Sequence, residues 1–245
     1  MLRTRELSKR FGAHPVVETV DLEIRAGTLH AIIGPNGAGK TTLFNLLSGE
    51  LRPTSGTIEF DGRDVTRLDA TSRSQLGMGR SFQRTNVFPK LTAFENVRLA
   101  AQSRTGGSFA LWRRAASLES VNARAESVLA EFGLLDYRSR LAGELAGGDQ
   151  RLLELAITLA TDPVLLLLDE PSQGLSPEDA RRLIDRIGTL AARYTIVLIE
   201  HNMPLVMRLA GEITVMNFGH VLAHGTPDEI RANADVRAAY LGKRA

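Results

Sequence analysis

The stretch that decides the fold is Gly34-Pro35-Asn36-Gly37-Ala38-Gly39-Lys40-Thr41. It matches the phosphate-binding pattern G-x-x-x-x-G-K-[ST] at every position. A short apolar run from Thr28 to Ile33 precedes it, and apolar residues at helical spacing follow it as far as Ser48. A glycine-rich turn between a strand and a helix directs backbone N–H groups, and the positive end of the helix dipole, at phosphate. The sequence therefore predicts a nucleotide-binding P-loop.

Two side chains of this loop carry the chemistry expected of it. Lys40 should reach the β- and γ-phosphates of a nucleotide, and the Thr41 hydroxyl should hold Mg²⁺. We expect Thr42, the next residue, to join the nucleotide contacts. A chance glycine-rich turn is the alternative, and the flanking strand and helix disfavour it.

A pair of carboxylates forms the second half of the predicted site. Asp169 and Glu170 directly follow the apolar run from Val164 to Leu168. Ligands of open α/β sheets bind at the carboxyl ends of strands, so we expect both side chains beside the P-loop. Asp169 suits the Mg²⁺ shell, and Glu170 suits the base that orients or deprotonates an attacking water. Acidic pairs at strand ends are common on protein surfaces, and the P-loop favours the catalytic interpretation.

Apolar spacing indicates the elements around the site. We expect strands over Val16–Arg25, Thr57–Phe60, Val164–Leu168 and Thr195–Ile199, and a helix over Pro177–Arg193. That helix should turn inward Leu183, Ile184, Ile187 and Leu190. The middle of the chain, Thr92 to Ala160, is mostly helical, and one helix face should consist of Val121, Ala125, Val128, Leu129 and Phe132.

This order predicts an α/β P-loop fold of the RecA-like kind. The core is a mostly parallel sheet, joined by an N-terminal antiparallel β part and an inserted helical sub-domain. We expect a single domain over 1–245. Residues 1–91 and 161–245 should form the core and the antiparallel part, and 92–160 the helical sub-domain.

Composition restricts the class of protein. Hydrophobic residues make up 43% and charged residues 24% of 245, which is typical of a globular protein with a sizeable core. The net charge of +2 and the lack of a dense basic face argue against nucleic-acid binding. The chain has 0 cysteines, which excludes disulfides and thiolate metal sites and fits a reducing cytoplasm. We see no signal peptide, and the longest apolar run is far below the roughly 20 residues that span a bilayer.

Further motifs, taken with the P-loop and the carboxylates, resemble the ABC transporter ATPases over nearly the whole chain. Gln83 looks like the Q-loop glutamine, which the resemblance places near Mg²⁺, the nucleophilic water and the membrane subunit. The run Leu145-Ala146-Gly147-Gly148-Asp149-Gln150 is similar to the signature motif, which caps the nucleotide on the opposite subunit. His201 resembles the switch histidine at the γ-phosphate, Ser172 to Pro177 the D-loop, and Phe11 the aromatic residue that stacks on adenine.

Within that family, several segments resemble the ATPases of branched-chain amino-acid importers. They are Arg80 to Thr92, the long helical arm that begins at Thr92, Ile199 to Met203, and Ala239 to Gly242. Relatives of that group import other amino acids, amides or urea. The ATPase of lipopolysaccharide export has a similar stretch from Ala223 to Pro227 but a shorter arm, and ranks second.

The resemblance implies ATP and Mg²⁺ as cofactors, and a homodimer or a heterodimer with a similar ATPase. It also implies separate permease subunits, an indirect link to a substrate-binding protein, and a place at the cytoplasmic face of the inner membrane. A soluble ABC ATPase of DNA repair or translation is disfavoured by the single P-loop and the absence of sustained heptads. Glu170 and His201 disfavour a regulatory module without turnover.

Three positions depart from the family pattern. Ala146 replaces the usual serine of the signature, Asp149 stands where glutamine or glutamate is usual, and Ser176 where many relatives carry a D-loop aspartate. None is among the residues predicted to hold phosphate or Mg²⁺ within this chain, so we still expect hydrolysis. The basic, aromatic segment Arg104 to Arg114 could contact lipid headgroups or the permease, and a solvated loop is the simpler interpretation.

Overall fold

The computed structural model describes residues 1–81, 87–103 and 116–241. Gln83 and the segment from Arg104 to Arg114 lie outside these residues. Two compact units divide the chain. The first comprises Met1–Met78, Leu165–Glu170 and Gly188–Ala245, and the second comprises Gly79–Val164 and Pro171–Ile187.

The strands are β1 Leu2–Phe11, β2 His14–Ile24, β3 Leu29–Ile33, β4 Ser55–Phe60, β5 Arg63–Asp64, β6 Met78–Arg80, β7 Leu165–Asp169, β8 Thr195–Ile199, β9 Glu212–Asn217 and β10 His220–Gly225. The helices are α1 Lys40–Ser48, α2 Ala70–Gln75, α3 Ala93–Ser103, α4 Ala116–Glu131, α5 Gly147–Ala160, α6 Pro177–Ala191, α7 Met203–Leu209, α8 Pro227–Ala232 and α9 Ala234–Leu241. Short 3-10 turns cover Leu135–Tyr137 and Ala142–Glu144. No helix among the described residues has the length and apolarity that crossing a bilayer requires.

The first unit contains two sheets. One is antiparallel, in the order β2-β1-β4-β5. In the other, β9, β3, β8 and β7 run parallel, and β10 joins the β9 edge antiparallel. All five residues of β3, β7 and β8 are buried, as expected of central parallel strands with both faces covered. Leu43, Phe44 and Leu47 of α1 belong to the hydrophobic core of this unit.

The second unit is mainly helical. Helices α3, α4 and α5 contact one another, and the predicted face of α4 with Phe132 is buried. The guanidinium of Arg186 lies 5.7 Å from the centre of the Phe132 ring. The inward residues predicted for α6 are also buried. The α/β P-loop fold with a helical part is thus confirmed.

Several predicted strand boundaries were wrong by one or two residues, and the difference at β7 concerns the site. We expected a buried strand from Val164 to Leu168, whereas Val164 is 48% exposed and β7 runs from Leu165 to Asp169. Pairing with β8 begins at Leu165, opposite Thr195, and ends at Asp169, opposite Ile199. The carboxylate of Asp169 therefore belongs to the last residue of the strand.

Candidate nucleotide-binding site

The P-loop connects a buried strand to a helix and needs glycine at both ends. Gly34 follows β3 with φ 154°, and a Cβ there would lie 2.2 Å from the carbonyl oxygen of Met216. Gly39 precedes α1 with φ 95°, and a Cβ there would lie 2.5 Å from the carbonyl oxygen of Val16. Neither backbone could approach so closely with a side chain present. The sequence pattern therefore reflects close packing of the loop against β2 and β9.

Lys40 is the first residue of α1 and is 6% exposed. Its ammonium donates hydrogen bonds to the carbonyl oxygens of Gly34, at 2.7 Å, and Pro35, at 2.9 Å. Burial lowers the pKa of Lys40, and the nearby carboxylates of Glu170 and Asp169 act in the opposite direction. The predicted phosphate-binding cation therefore lies close to the predicted acidic pair.

A cavity of about 340 Å³ opens on this loop. It is lined by Val16, Asn36, Gly37, Ala38, Gly39, Lys40, Thr41, Thr42, Glu170 and His201. It brings most of the P-loop together with Glu170 and His201, which lie far from the loop along the chain. Sequence reasoning did not identify Val16, because a valine in a strand carries no signal beyond that of a core residue.

The order of the parallel strands brings Glu170 and His201 together. Strands β7 and β8 are neighbours, and Glu170 follows the first while His201 follows the second by two residues. Glu170 has a left-handed backbone with φ 47°, which a non-glycine residue adopts at a cost of about 1–2 kcal/mol. Its N–H donates to the carbonyl oxygen of Ile199, at 2.9 Å.

The side chains of Glu170 and His201 are in direct contact, through Oε1 and Nε2. The glutamate side chain is 9% exposed and the imidazole 45% exposed. A buried carboxylate that meets a more exposed imidazole at the P-loop cavity is suited to hold a water and the end of a polyphosphate chain.

Phe11 does not line the cavity. It is the last residue of β1, its ring is 50% exposed, and the Lys9 ammonium lies 5.2 Å from the ring centre. An exposed ring beside a cation leaves one aromatic surface open to a ligand. Its predicted contact with adenine stays a prediction.

The signature-like run lies in the second unit, at the start of α5. Ala146 is the N-cap of that helix and makes no capping hydrogen bond, and both Ala146 and Gly147 are exposed. A Cβ on Gly147 would meet nothing within 4 Å, so the backbone is open here. Asp149 forms an ion pair with Arg182, with 3.0 Å between Oδ1 and a guanidinium nitrogen. The charge of Asp149 is therefore offset by Arg182 of α6 as well as by the dipole of its own helix, α5.

These features define a P-loop nucleotide-binding protein in which the loop, Glu170 and His201 converge on one cavity. The family model described as "ABC transporter" matches residues 17–173. The model described as "Branched-chain amino acid ATP-binding cassette transporter" matches residues 220–245. The chain belongs to the ABC transporter ATP-binding family, and it is an ATPase of that kind.

Similar proteins cover nearly the whole chain. The high-affinity branched-chain amino acid transport ATP-binding protein LivG of Salmonella typhimurium is 42% identical, with 99% of this chain and 98% of that protein covered. The lipopolysaccharide export system ATP-binding protein LptB of Escherichia coli is 31% identical, with coverage of 99% and 97%. The crystal structure of the ADP conformation of MJ1267, an ATP-binding cassette of an ABC transporter, superposes with a TM-score of 0.87 at 29% identity and covers 99% of both chains. The chain is thus an ABC ATP-binding subunit closely related to the ATPases of branched-chain amino-acid importers.

Proposed function

We propose that this chain binds Mg-ATP and hydrolyses it within a dimer to drive import of branched-chain or related amino acids through separate permease subunits. The observation that carries the hydrolytic part is the contact between Glu170 and His201 at the P-loop cavity. The amino-acid cargo is supported by the 42% identity to LivG and by the C-terminal family match.

The proposed roles follow from the geometry. The Lys40 ammonium, now on the carbonyls of Gly34 and Pro35, would exchange these contacts for the β- and γ-phosphate oxygens. The Glu170 carboxylate would hold the attacking water and accept its proton. His201, half exposed, would contact the γ-phosphate and keep Glu170 oriented. The electrostatic contribution of fixed groups of this kind is the main source of rate in phosphoryl transfer.

The oxygen donors fit a magnesium ion. Thr41 offers a hydroxyl and Asp169 a carboxylate that is 2% exposed, and Mg²⁺ prefers one or two such ligands together with phosphate oxygens. No group of three or more His, Cys, Asp or Glu that could hold a metal occurs in the described ranges. When bound, Mg²⁺ neutralises charge on the β- and γ-phosphates. Gln83 is proposed as a further ligand.

The second half of the proposed active site comes from the partner subunit. The exposed Ala146, the open backbone of Gly147, and Gly148 would cap the triphosphate on the opposite P-loop. The first turn of a helix presents unpaired N–H groups and a partial positive charge, and both favour phosphate. A monomer alone would then bind ATP but hydrolyse it poorly.

Permease docking is proposed for Gln83 and the arm helix that begins after Thr92. The buried Asn96 of α3 fixes the backbone of Phe88, accepting from its N–H at 2.8 Å and donating to its carbonyl at 3.1 Å. The Phe88 ring is nevertheless 62% exposed, and Leu99 of α3 is 40% exposed. Apolar side chains held on a fixed backbone suit a protein contact. The complex would lie at the cytoplasmic face of the inner membrane.

The docking surface can be tested by cross-linking. The chain has 0 cysteines, so Phe88→Cys or Leu99→Cys introduces a unique thiol. Both should cross-link to the permease in assembled transporter, and Arg231→Cys on α8 should not. Cross-links from Arg231→Cys alone would contradict this surface.

The cargo is tested by uptake. Cells that lack the gene should lose ATP-dependent uptake of labelled leucine, isoleucine and valine, and the wild-type gene should restore it while Glu170→Gln should not. Unchanged uptake of these amino acids together with a defect in lipopolysaccharide export would favour the second candidate function, that of a lipopolysaccharide-export ATPase.

A further inference from the structure

The first turns of α5 and α6 meet through side chains and a glycine. Ser176 precedes α6, where its hydroxyl donates to Asp179 Oδ2, at 2.8 Å, and accepts from the Asp179 N–H, at 3.1 Å. The other oxygen of Asp179 lies 3.5 Å from Arg182. A Cβ on Gly148 would lie 2.3 Å from the Asp179 carboxyl carbon, so α5 touches this carboxylate directly.

Arg182 spans the two helices. One terminal nitrogen of its guanidinium donates to Asp149 Oδ1, at 3.0 Å, and the other faces Asp179. The side chain of Asp149 is only 12% exposed, whereas that of Arg182 is 49% exposed. A carboxylate so little hydrated depends on its partner, since removal of one member of a buried pair leaves an uncompensated charge.

The charge of Asp149 is unfavourable for the proposed role of this helix start. The signature must receive a triphosphate, and an aspartate in the first helical turn repels it. Two like charges a few ångströms apart repel more strongly where they are shielded from water than in bulk solvent. The guanidinium of Arg182 offsets this charge from the side of α6.

We infer that Arg182 is a positioning residue of the composite ATP site. It neutralises Asp149 and holds the signature helix against the start of α6, so that the exposed Ala146–Gly147 backbone can accept the partner subunit's triphosphate. The inference rests on the proposed ATP-dependent dimer and names a residue outside the family motifs.

A second side chain of α5 contacts the segment that leads into α6. The Arg151 side chain, 5% exposed, donates to the carbonyl oxygen of Pro171, at 2.9 Å, and pairs with Glu154 of its own helix. Pro171 directly follows Glu170 in the chain. Arg151 of α5 therefore holds the first residue of the segment from Pro171 to Ser176. At the end of that segment, Ser176 bonds Asp179, Asp179 faces Arg182, and Arg182 bonds Asp149 of α5.

The test is a double-mutant cycle in the Glu170→Gln background, with ATP-dependent dimerisation measured by sedimentation. Arg182→Ala should weaken dimerisation about tenfold or more, because it leaves Asp149 unpaired beside phosphate. Asp149→Asn should stay within about threefold of the parent, and Asp149→Asn with Arg182→Ala should do the same. Arg181→Ala, which removes the same charge one position earlier on α6, is the matched control.

The outcomes separate the inference from the function on which it rests. Restoration by Asp149→Asn supports charge compensation, because a merely structural arginine would not be rescued by removing its partner. Equal losses in Arg182→Ala, Asp149→Asn and the double variant would overturn it, as would a normal dimer in Arg182→Ala. Absence of an ATP-dependent dimer in the parent would instead contradict the proposed function. ATP affinity of the monomer should not change in any of these variants.

Discussion

Ala146→Ser should change two measurable quantities for two separate reasons. Ala146 is the N-cap of α5, with φ −59° and ψ 153°, and makes no capping bond. A serine hydroxyl in that conformation can accept from the N–H of Gly148 or Asp149, and this substitution is worth about 1 kcal/mol of stability. For a chain of this size, that predicts a Tm higher by about 2–4 °C.

The second effect concerns the dimer. A hydroxyl at this exposed position can also donate to the γ-phosphate on the facing subunit, and such a bond to a charged acceptor is worth about 1.5–3 kcal/mol. ATP-dependent dimerisation should therefore strengthen by about tenfold or more. The assay is sedimentation of the Glu170→Gln protein with saturating Mg-ATP, together with ATP affinity at monomeric concentrations, which should stay constant.

Ala146→Asp separates the two effects. Aspartate caps a helix about as well as serine, so Tm should rise by a similar amount. Its charge repels the triphosphate, so dimerisation should weaken. If both variants changed dimerisation equally and in the same direction, helix stability alone would explain the result, and the placement of this motif at the partner's nucleotide would be refuted.

The other predictions concern the P-loop and the core. Lys40→Ala should abolish tight ATP binding in a titration, because it removes the main cation at the β- and γ-phosphates, and wild-type affinity would contradict the P-loop assignment. His30 is fully buried in β3, stacks on His224 and bonds Thr214, and burial and His224 lower its pKa from 6.5 to about 4. Glu212, 3.7 Å away, already pairs with Arg25. As pH falls, His30 is therefore protonated in the unfolded chain at a higher pH than in the folded protein. Lowering the pH from 7 to 5 should reduce the free energy of unfolding by about 2 kcal/mol through His30. His30→Gln should reduce that loss in urea titrations at the two pH values, and an identical pH dependence would contradict it.

The sequence indicated the parts of the fold that are encoded locally. The P-loop is contiguous, and β3, β7 and β8 are continuous apolar runs, because both faces of these strands are covered. Strand β2 alternates only loosely for a physical reason. Thr19 has φ 47°, and the register with β1 shifts between Leu7 and Lys9, so the buried phase changes in mid-strand.

Contacts across the chain could not be predicted in the same way. The ion pair between Asp149 and Arg182 joins residues that are 33 positions apart and lie on two helices. Neither residue belongs to a sequence pattern that specifies its partner. The left-handed backbone of Glu170 and the steric need for glycine against Met216 likewise depend on strand order in space. The C-terminal hairpin of β9 and β10 was not identified, since β10 is only half-buried and carries a weak apolar signal.

The most direct test of the account is the behaviour of Glu170→Gln with Mg-ATP. Glutamine keeps the shape of the side chain and loses the carboxylate that would hold the water and accept its proton. The variant should sediment as a dimer that retains two ATP molecules and releases no phosphate, while the wild-type protein turns over and the variant without nucleotide stays monomeric. Phosphate release near the wild-type rate, or a monomer at saturating ATP, would contradict the roles assigned to Glu170 and to the ATP-bound dimer.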